Sequence, residues 1–240
     1  MRVLQIILIS LTALTGCSKK AGPPYASKID TTVNTKPMTD PATYLALGDS
    51  YTIGQSVPQN ESYPYQLTVL LNSYGYKVKA PTIIATTGWT TDNLIDAIAG
   101  SGITNRKFDF VTLLIGVNDQ YQGLSLDNYK VKFAQVLNTA ITFANGDTSK
   151  VFVLSIPDWG VTPFAGGRDS EIYPQIIAFN SAAQSICEKA GVSFLNITDI
   201  SRKAATDPTL IASDGLHPSG KMYELWVDVL EPKVAARLKK

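Results

Sequence analysis

The chain contains a single histidine, His217, so any mechanism that pairs a nucleophile with an imidazole base must use it. Asp214 stands just ahead of it in Asp214-Gly215-Leu216-His217-Pro218. A carboxylate that close, on a loop with Gly and Pro, can hold Nδ1–H and leave Nε2 free to face a nucleophile. The candidate nucleophile is Ser50, in Leu47-Gly48-Asp49-Ser50-Tyr51. Its hydroxyl needs a base to remove the proton before it can attack. Two more residues could donate to the oxyanion of an acyl-transfer intermediate. Gly88 could do so through a backbone N–H brought close by the missing Cβ, and Asn118 through its side-chain amide. Taken singly, each of these is an ordinary turn or helix-start residue. Their common placement carries the argument.

That placement follows from the elements. Residues 44–47 read as a buried strand, 77–84 as a second, 110–115 as a third, 151–156 as a fourth and 192–195 as a fifth. Continuous apolar runs such as 110–115 mark strands covered on both faces. Pro81 puts the second strand at a sheet edge, where a missing donor is tolerated. Helices are expected near 63–74, at 127–144 with Val131, Ala134, Leu137 and Ile141 on one face, at 176–190, and at 219–238 with a kink or break at Pro232. Alternating strands and helices imply an α/β fold, a parallel sheet with helices on both faces. Ligands of such sheets bind beyond the carboxyl ends of the strands. Ser50, Gly88 and Asn118 each follow a predicted strand, and Asp214 and His217 occupy the last loop before the final helix.

The remaining sequence bounds the partners. Hydrophobic residues make up 45% and charged residues 17%, with 21 basic against 20 acidic, so nothing points to nucleic acid. Arg2 precedes an apolar stretch, residues 3–14, too short for the roughly 20 residues of a membrane-spanning helix. It reads as a secretory signal ending in Leu14-Thr15-Gly16-Cys17. Residues 17–40, rich in Lys, Thr, Pro and Ala, read as a flexible tether, and 41–240 as the folded domain. Cys187, on the 176–190 helix, reads as a buried small hydrophobe, and one histidine leaves no Cys/His metal cluster. The loop 157–173 is long, and its Trp159, Phe164 and Tyr173 are candidates for a substrate wall. Gly215 to Lys221 imitates a P-loop but ends on Met222, and no G-x-S-x-G elbow is present.

Four segments in order resemble the blocks of the SGNH hydrolases, the GDSL esterase/lipase family: Gly48-Asp49-Ser50, Gly88, Gly116-Val117-Asn118-Asp119 and Asp214-Gly215-Leu216-His217. The resemblance implies a flavodoxin-like three-layer α/β/α sandwich with a five-stranded parallel sheet. It also implies Ser50 as nucleophile, His217 as base, Asp214 as its orienting acid, and Ser50 N–H, Gly88 N–H and Asn118 as the oxyanion hole. Tyr51 departs from the leucine of the family name. The expected activity is hydrolysis of a small-molecule carboxylic ester without cofactor or metal, with lysophospholipid-like or short-acyl esters favoured. Envelope carbohydrate O-acetyl esters and a non-catalytic ligand-binding lipoprotein are the alternatives. The segment at Cys17 resembles a bacterial lipobox, which implies a lipid anchor in the cell envelope, at the outer membrane or cell surface rather than free in the periplasm. No protein partner is implied.

Overall fold

The computed structural model describes residues 40–238. The expected signal segment, Cys17 and nearly all of the tether lie outside the described residues. The sheet comprises β1 (Tyr44–Gly48), β2 (Thr82–Ala85), β3 (Phe110–Leu114), β4 (Val151–Leu154) and β5 (Ser193–Leu195). Their spatial order is β2-β1-β3-β4-β5 and every pairing is parallel. Ala46 of β1 sits in register between Ile83 and Thr112, so β1 and β3 are covered on both sides. Both are wholly buried, which is why their sequences are continuous apolar runs.

The polar exception, Thr112, is used. Its hydroxyl lies 2.8 Å from that of Tyr44 and 3.1 Å from that of Tyr63, so three buried oxygens satisfy one another. The second strand is shorter than expected. It begins only after Pro81, and Val78 instead forms an isolated bridge to Ala42. It is one edge of the sheet, as expected, although Pro81 itself lies just outside it.

The helices flank the sheet as a three-layer sandwich. Helix α2 (Tyr63–Ser73) packs on α8 (Gly220–Leu238), while α3 (Thr91–Gly100), α5 (Leu126–Phe143) and α6 (Asp169–Ala190) pack together. Short helices α1 (Ser50–Ile53), α4 (Val117–Tyr121) and α7 (Thr198–Ser201) follow β1, β3 and β5. Two expectations about the helices need correction. The buried face of α5 is Tyr129, Phe133, Val136, Leu137, Ala140 and Phe143, and Val131 is exposed. The aromatic residues remove more area from water than Val131 or Ile141 would, and they set the rotation.

Helix α6 starts at Asp169, well before the expected 176, and continues through Pro174. The buried row Ile172, Ile176, Phe179, Ala183 and Cys187 keeps helical spacing across that proline and outweighs one lost backbone bond. Helix α8 likewise runs on through Pro232, where Leu230 and Val234 are buried on either side. Cys187 is fully buried, and burial pushes its thiol up to about 12, far from a reactive thiolate.

Candidate active site

In this strand order the connections leave β1 and β3 in opposite directions, which opens a crevice beyond their carboxyl ends. Ser50 follows β1 as the first residue of α1, so its N–H has no intrahelical acceptor. Gly48 is forced by space, because a Cβ would lie 2.4 Å from the Leu114 carbonyl oxygen and 2.1 Å from Thr52 Oγ1. Asp49 caps α1, its Oδ1 accepting the Tyr51 N–H at 3.0 Å. The other oxygen, Oδ2, is buried without a hydrogen-bond partner. Burial pushes this carboxyl up to about 8, against the pull of the Tyr51 N–H, with the nearby Asp119 charge adding to the rise.

A raised folded-state value means that Asp49 binds a proton the unfolded chain has already released above about pH 4. Its contribution to stability is therefore present at acid pH and is lost as pH rises towards 8. Asp49→Asn keeps the capping oxygen and removes this loss. Urea unfolding at pH 5 and pH 8 should show the variant gaining on the parent at the higher pH, by on the order of a few kcal/mol. An equal gap at both pH values would show that Asp49 is ionised in the fold.

Gly88 has a φ of +83°, and a Cβ on it would meet no protein atom within 4 Å. Left-handed backbone, and not crowding by the chain, is what calls for glycine there. Asn118, in α4, donates one amide hydrogen to the Trp89 carbonyl at 2.9 Å. That bond fixes the plane of the amide and leaves the second hydrogen free. The next residue, Asp119, accepts from Thr91 N–H at 3.0 Å and Thr91 Oγ at 2.6 Å. The segment after β2, which holds Gly88, and the segment after β3, which holds Asn118, are thereby stapled together. Asn118→Ala should lower kcat roughly 100- to 1,000-fold with little change in KM. Initial rates across a substrate series would reveal it, and a rise in KM alone would assign Asn118 to ground-state binding.

His217 lies in a tight loop closed by the Ile211–Pro218 bridge and by the Ala212 N–H donating to the His217 carbonyl at 2.8 Å. Its Nδ1 lies 2.6 Å from Asp214 Oδ2, while Asp214 Oδ1 accepts from Leu216 N–H and His217 N–H, each at 2.9 Å. Ser56 Oγ adds a bond of 2.6 Å to Oδ2. Burial pushes the Asp214 carboxyl up, but the donors from Ser56, the His217 ring and the two backbone amides outweigh it. They hold the carboxyl well below the usual carboxylate range.

Ser50, Gly88, Asn118 and His217 line one cleft, with Tyr51, Thr87, Val117, Tyr121, Trp159, Phe164 and Leu216. Ser50 Oγ and His217 face the same cleft but are not hydrogen-bonded to each other among the described residues. In ligand-free sites such bonds are often long and tighten when substrate binds.

The aromatic residues divide. Trp159 and Phe164 line the cleft with Tyr121, their ring centroids 5.5 to 6.3 Å apart. Tyr173 does not. It belongs to α6, because the helix starts early, and it stacks under the Arg202 guanidinium at 4.1 Å. Arg202 also bonds Asp158 and Asp169, and so pins both ends of the loop that carries Trp159 and Phe164. Trp159 Nε1 donates to Gln120 Oε1 at 2.8 Å, and Gln120 donates to Gln175 at 2.9 Å. Ser56, Asp119, Gln120 and Arg202 are site-supporting residues that sequence reading passes over. Only Asp119, adjacent to Asn118, lies within a legible segment.

The sequence profile of the GDSL-like lipase/acylhydrolase family matches residues 46–225. The chain belongs to that family. It is a carboxylic ester hydrolase with the SGNH hydrolase fold. No curated protein sequence matches the chain. Among solved structures it is similar to the lipase/acylhydrolase from Enterococcus faecalis, at 20% identity and a TM-score of 0.64 over 82% of this chain and 96% of that one. It is also similar to the psychrotrophic esterase EstA from Pseudoalteromonas, at 17% identity and 0.63 over 83% and 100%. The acetylxylan esterase Axe2 from Geobacillus stearothermophilus matches at 16% and 0.63 over 80% and 94%. At such identities these structures share the fold with the chain, and family membership sets aside the non-catalytic reading.

Proposed function

We propose that this GDSL-like hydrolase cleaves short-acyl or lipid-like esters through an acyl-enzyme on Ser50. The observation that carries the reading is the convergence of Ser50, His217, Gly88 and Asn118 on one cleft, with Asp214 bonded to the far nitrogen of the imidazole. Ser50 Oγ attacks the ester carbonyl and its proton passes to His217 Nε2. The oxyanion accepts hydrogen bonds from Ser50 N–H, Gly88 N–H and the free Asn118 amide hydrogen. As the intermediate collapses, His217 returns the proton to the leaving alcohol. Water then attacks the acyl carbon and gives a proton to His217; the bond to Ser50 Oγ breaks, His217 returns that proton to Oγ, and the acid leaves.

The cleft lining contains no Lys, Arg, Asp or Glu, and its walls are Val117, Tyr121, Trp159, Phe164 and Leu216. Such walls suit an uncharged acyl or alcohol group, and a phosphate headgroup would find no cation among them. A second reading, a carbohydrate O-acetyl ester, is favoured by Tyr121 and Phe164, which stay about half exposed (54% and 47%) as faces for a sugar ring. The Cys17 segment supports an envelope lipoprotein anchored by acyl chains on that residue.

Two measurements test the proposal. An alkylphosphonate ester should stop the enzyme by adding to Ser50, visible as a mass increase on the peptide that contains it. Labelling elsewhere with loss of activity would refute the acyl-enzyme. A panel of p-nitrophenyl acetate, butyrate and octanoate, lysophosphatidylcholine and acetylated xylo-oligosaccharide would rank the substrates. Fastest turnover on the acetylated sugar would establish the second reading.

A further inference from the structure

We infer that Ser56 is a positioning residue for the Asp214–His217 pair, an inference that rests on the acyl-enzyme reading above. Its hydroxyl donates to Asp214 Oδ2 at 2.6 Å, the same oxygen that faces His217 Nδ1 at 2.6 Å. The other three donors to this carboxylate come from the Asp214–His217 loop itself. Ser56 alone reaches it from a distant part of the chain, the turn after α1, 158 residues away in sequence.

The backbone at Ser56 makes the choice of residue informative. Its φ is +69°, and among the described residues the one other non-glycine with positive φ is Asn145. Asparagine tolerates that region, whereas serine is disfavoured there. Glycine would hold the same turn without steric cost, as Gly54 does two residues earlier at φ +77°. Conformation therefore does not account for serine at this position, and the hydroxyl on the carboxylate does.

The neighbouring residue strengthens the link. Gln55 Oε1 accepts from Thr87 Oγ at 2.7 Å, beside Gly88. One turn thus touches the acid of the triad and the segment that carries an oxyanion donor. Ser56 is solvent-exposed and does not line the substrate cleft. Its effect must pass through Asp214. Without the hydroxyl, water competes for Oδ2, the carboxylate plane is held by fewer bonds, and the imidazole it orients is placed less sharply. The freed carboxylate also concentrates more charge towards the ring, which favours the imidazolium.

Ser56→Gly in the full chain tests this, with p-nitrophenyl acetate as substrate. We expect kcat to fall about tenfold, the loss of one hydrogen bond to a charged group, with KM unchanged. The acid limb of the pH–rate profile should move to higher pH, and the thermal midpoint should stay equal or rise as the strained φ is relieved. Unchanged kcat would overturn the inference. So would a loss of kcat accompanied by a lower midpoint, because the residue would then be structural only. Ser50→Ala run alongside separates the two levels. Activity surviving in Ser50→Ala defeats the acyl-enzyme reading itself, whereas an inactive Ser50→Ala beside a fully active Ser56→Gly defeats only the role of Ser56.

Discussion

Ser50→Ala should abolish ester turnover, with kcat lower by on the order of 10⁵-fold or more, while the protein remains folded. The side chain projects into the cleft and makes no hydrogen bond within the described chain, so its removal leaves no buried donor or acceptor unpaired. Asp49 still caps α1 and Gly48 still fits beneath Thr52, because neither contact involves the Ser50 hydroxyl. An unfolding midpoint within a degree or two of the parent is expected. On the proposed mechanism the residual rate would come from Ser50 N–H, Gly88 N–H and Asn118 acting on attacking water. A variant that kept a tenth of the parental kcat would remove Ser50 from the chemistry.

Asp214→Asn should cost roughly 10⁴-fold in kcat, more than any donor of the oxyanion hole. The neutral amide would present either an NH₂ group or a weaker acceptor to His217 Nδ1. In the first case the ring must turn its proton towards Ser50, which is the wrong tautomer for a base. The backbone bonds to Oδ1 can persist to an amide oxygen, so the loop need not rearrange. The pH profile supplies a second readout. The donors around Asp214 hold its carboxyl well below the usual carboxylate range in the parent, so its own protonation does not set the acid limb of that profile. In the variant that limb should move to lower pH, because the carboxylate that stabilises the imidazolium is gone. An unshifted limb together with unchanged kcat would assign the orienting role elsewhere.

Much of this was legible in the chain because local pattern and global position agree. The runs at β1, β3 and β4 are buried on both faces and could hardly be anything but central strands. A single histidine reduced the choice of base to one residue, and its short spacing from Asp214 survives intact in the loop. What failed to show was governed by packing or by distance along the chain. The stretch 157–173 reads as one long loop, and only the buried face of α6 explains why the helix begins at Asp169. Asp169 and Glu171 in its first turn were the available signal. The capping box at Thr90 and Asn93 is the local signal for α3. Ser56, Gln120 and Arg202 act on residues dozens to more than a hundred positions away, and no spacing rule connects them.

The strand that delivers Gly88 is the sheet's edge and its least covered member, each of its four residues only partly buried. Edges breathe at lower free energy than centres. Turnover should therefore fade at denaturant concentrations where tryptophan fluorescence and circular dichroism still report a native protein. The enzyme's working range is then set by the looseness of one border strand and not by the depth of its core.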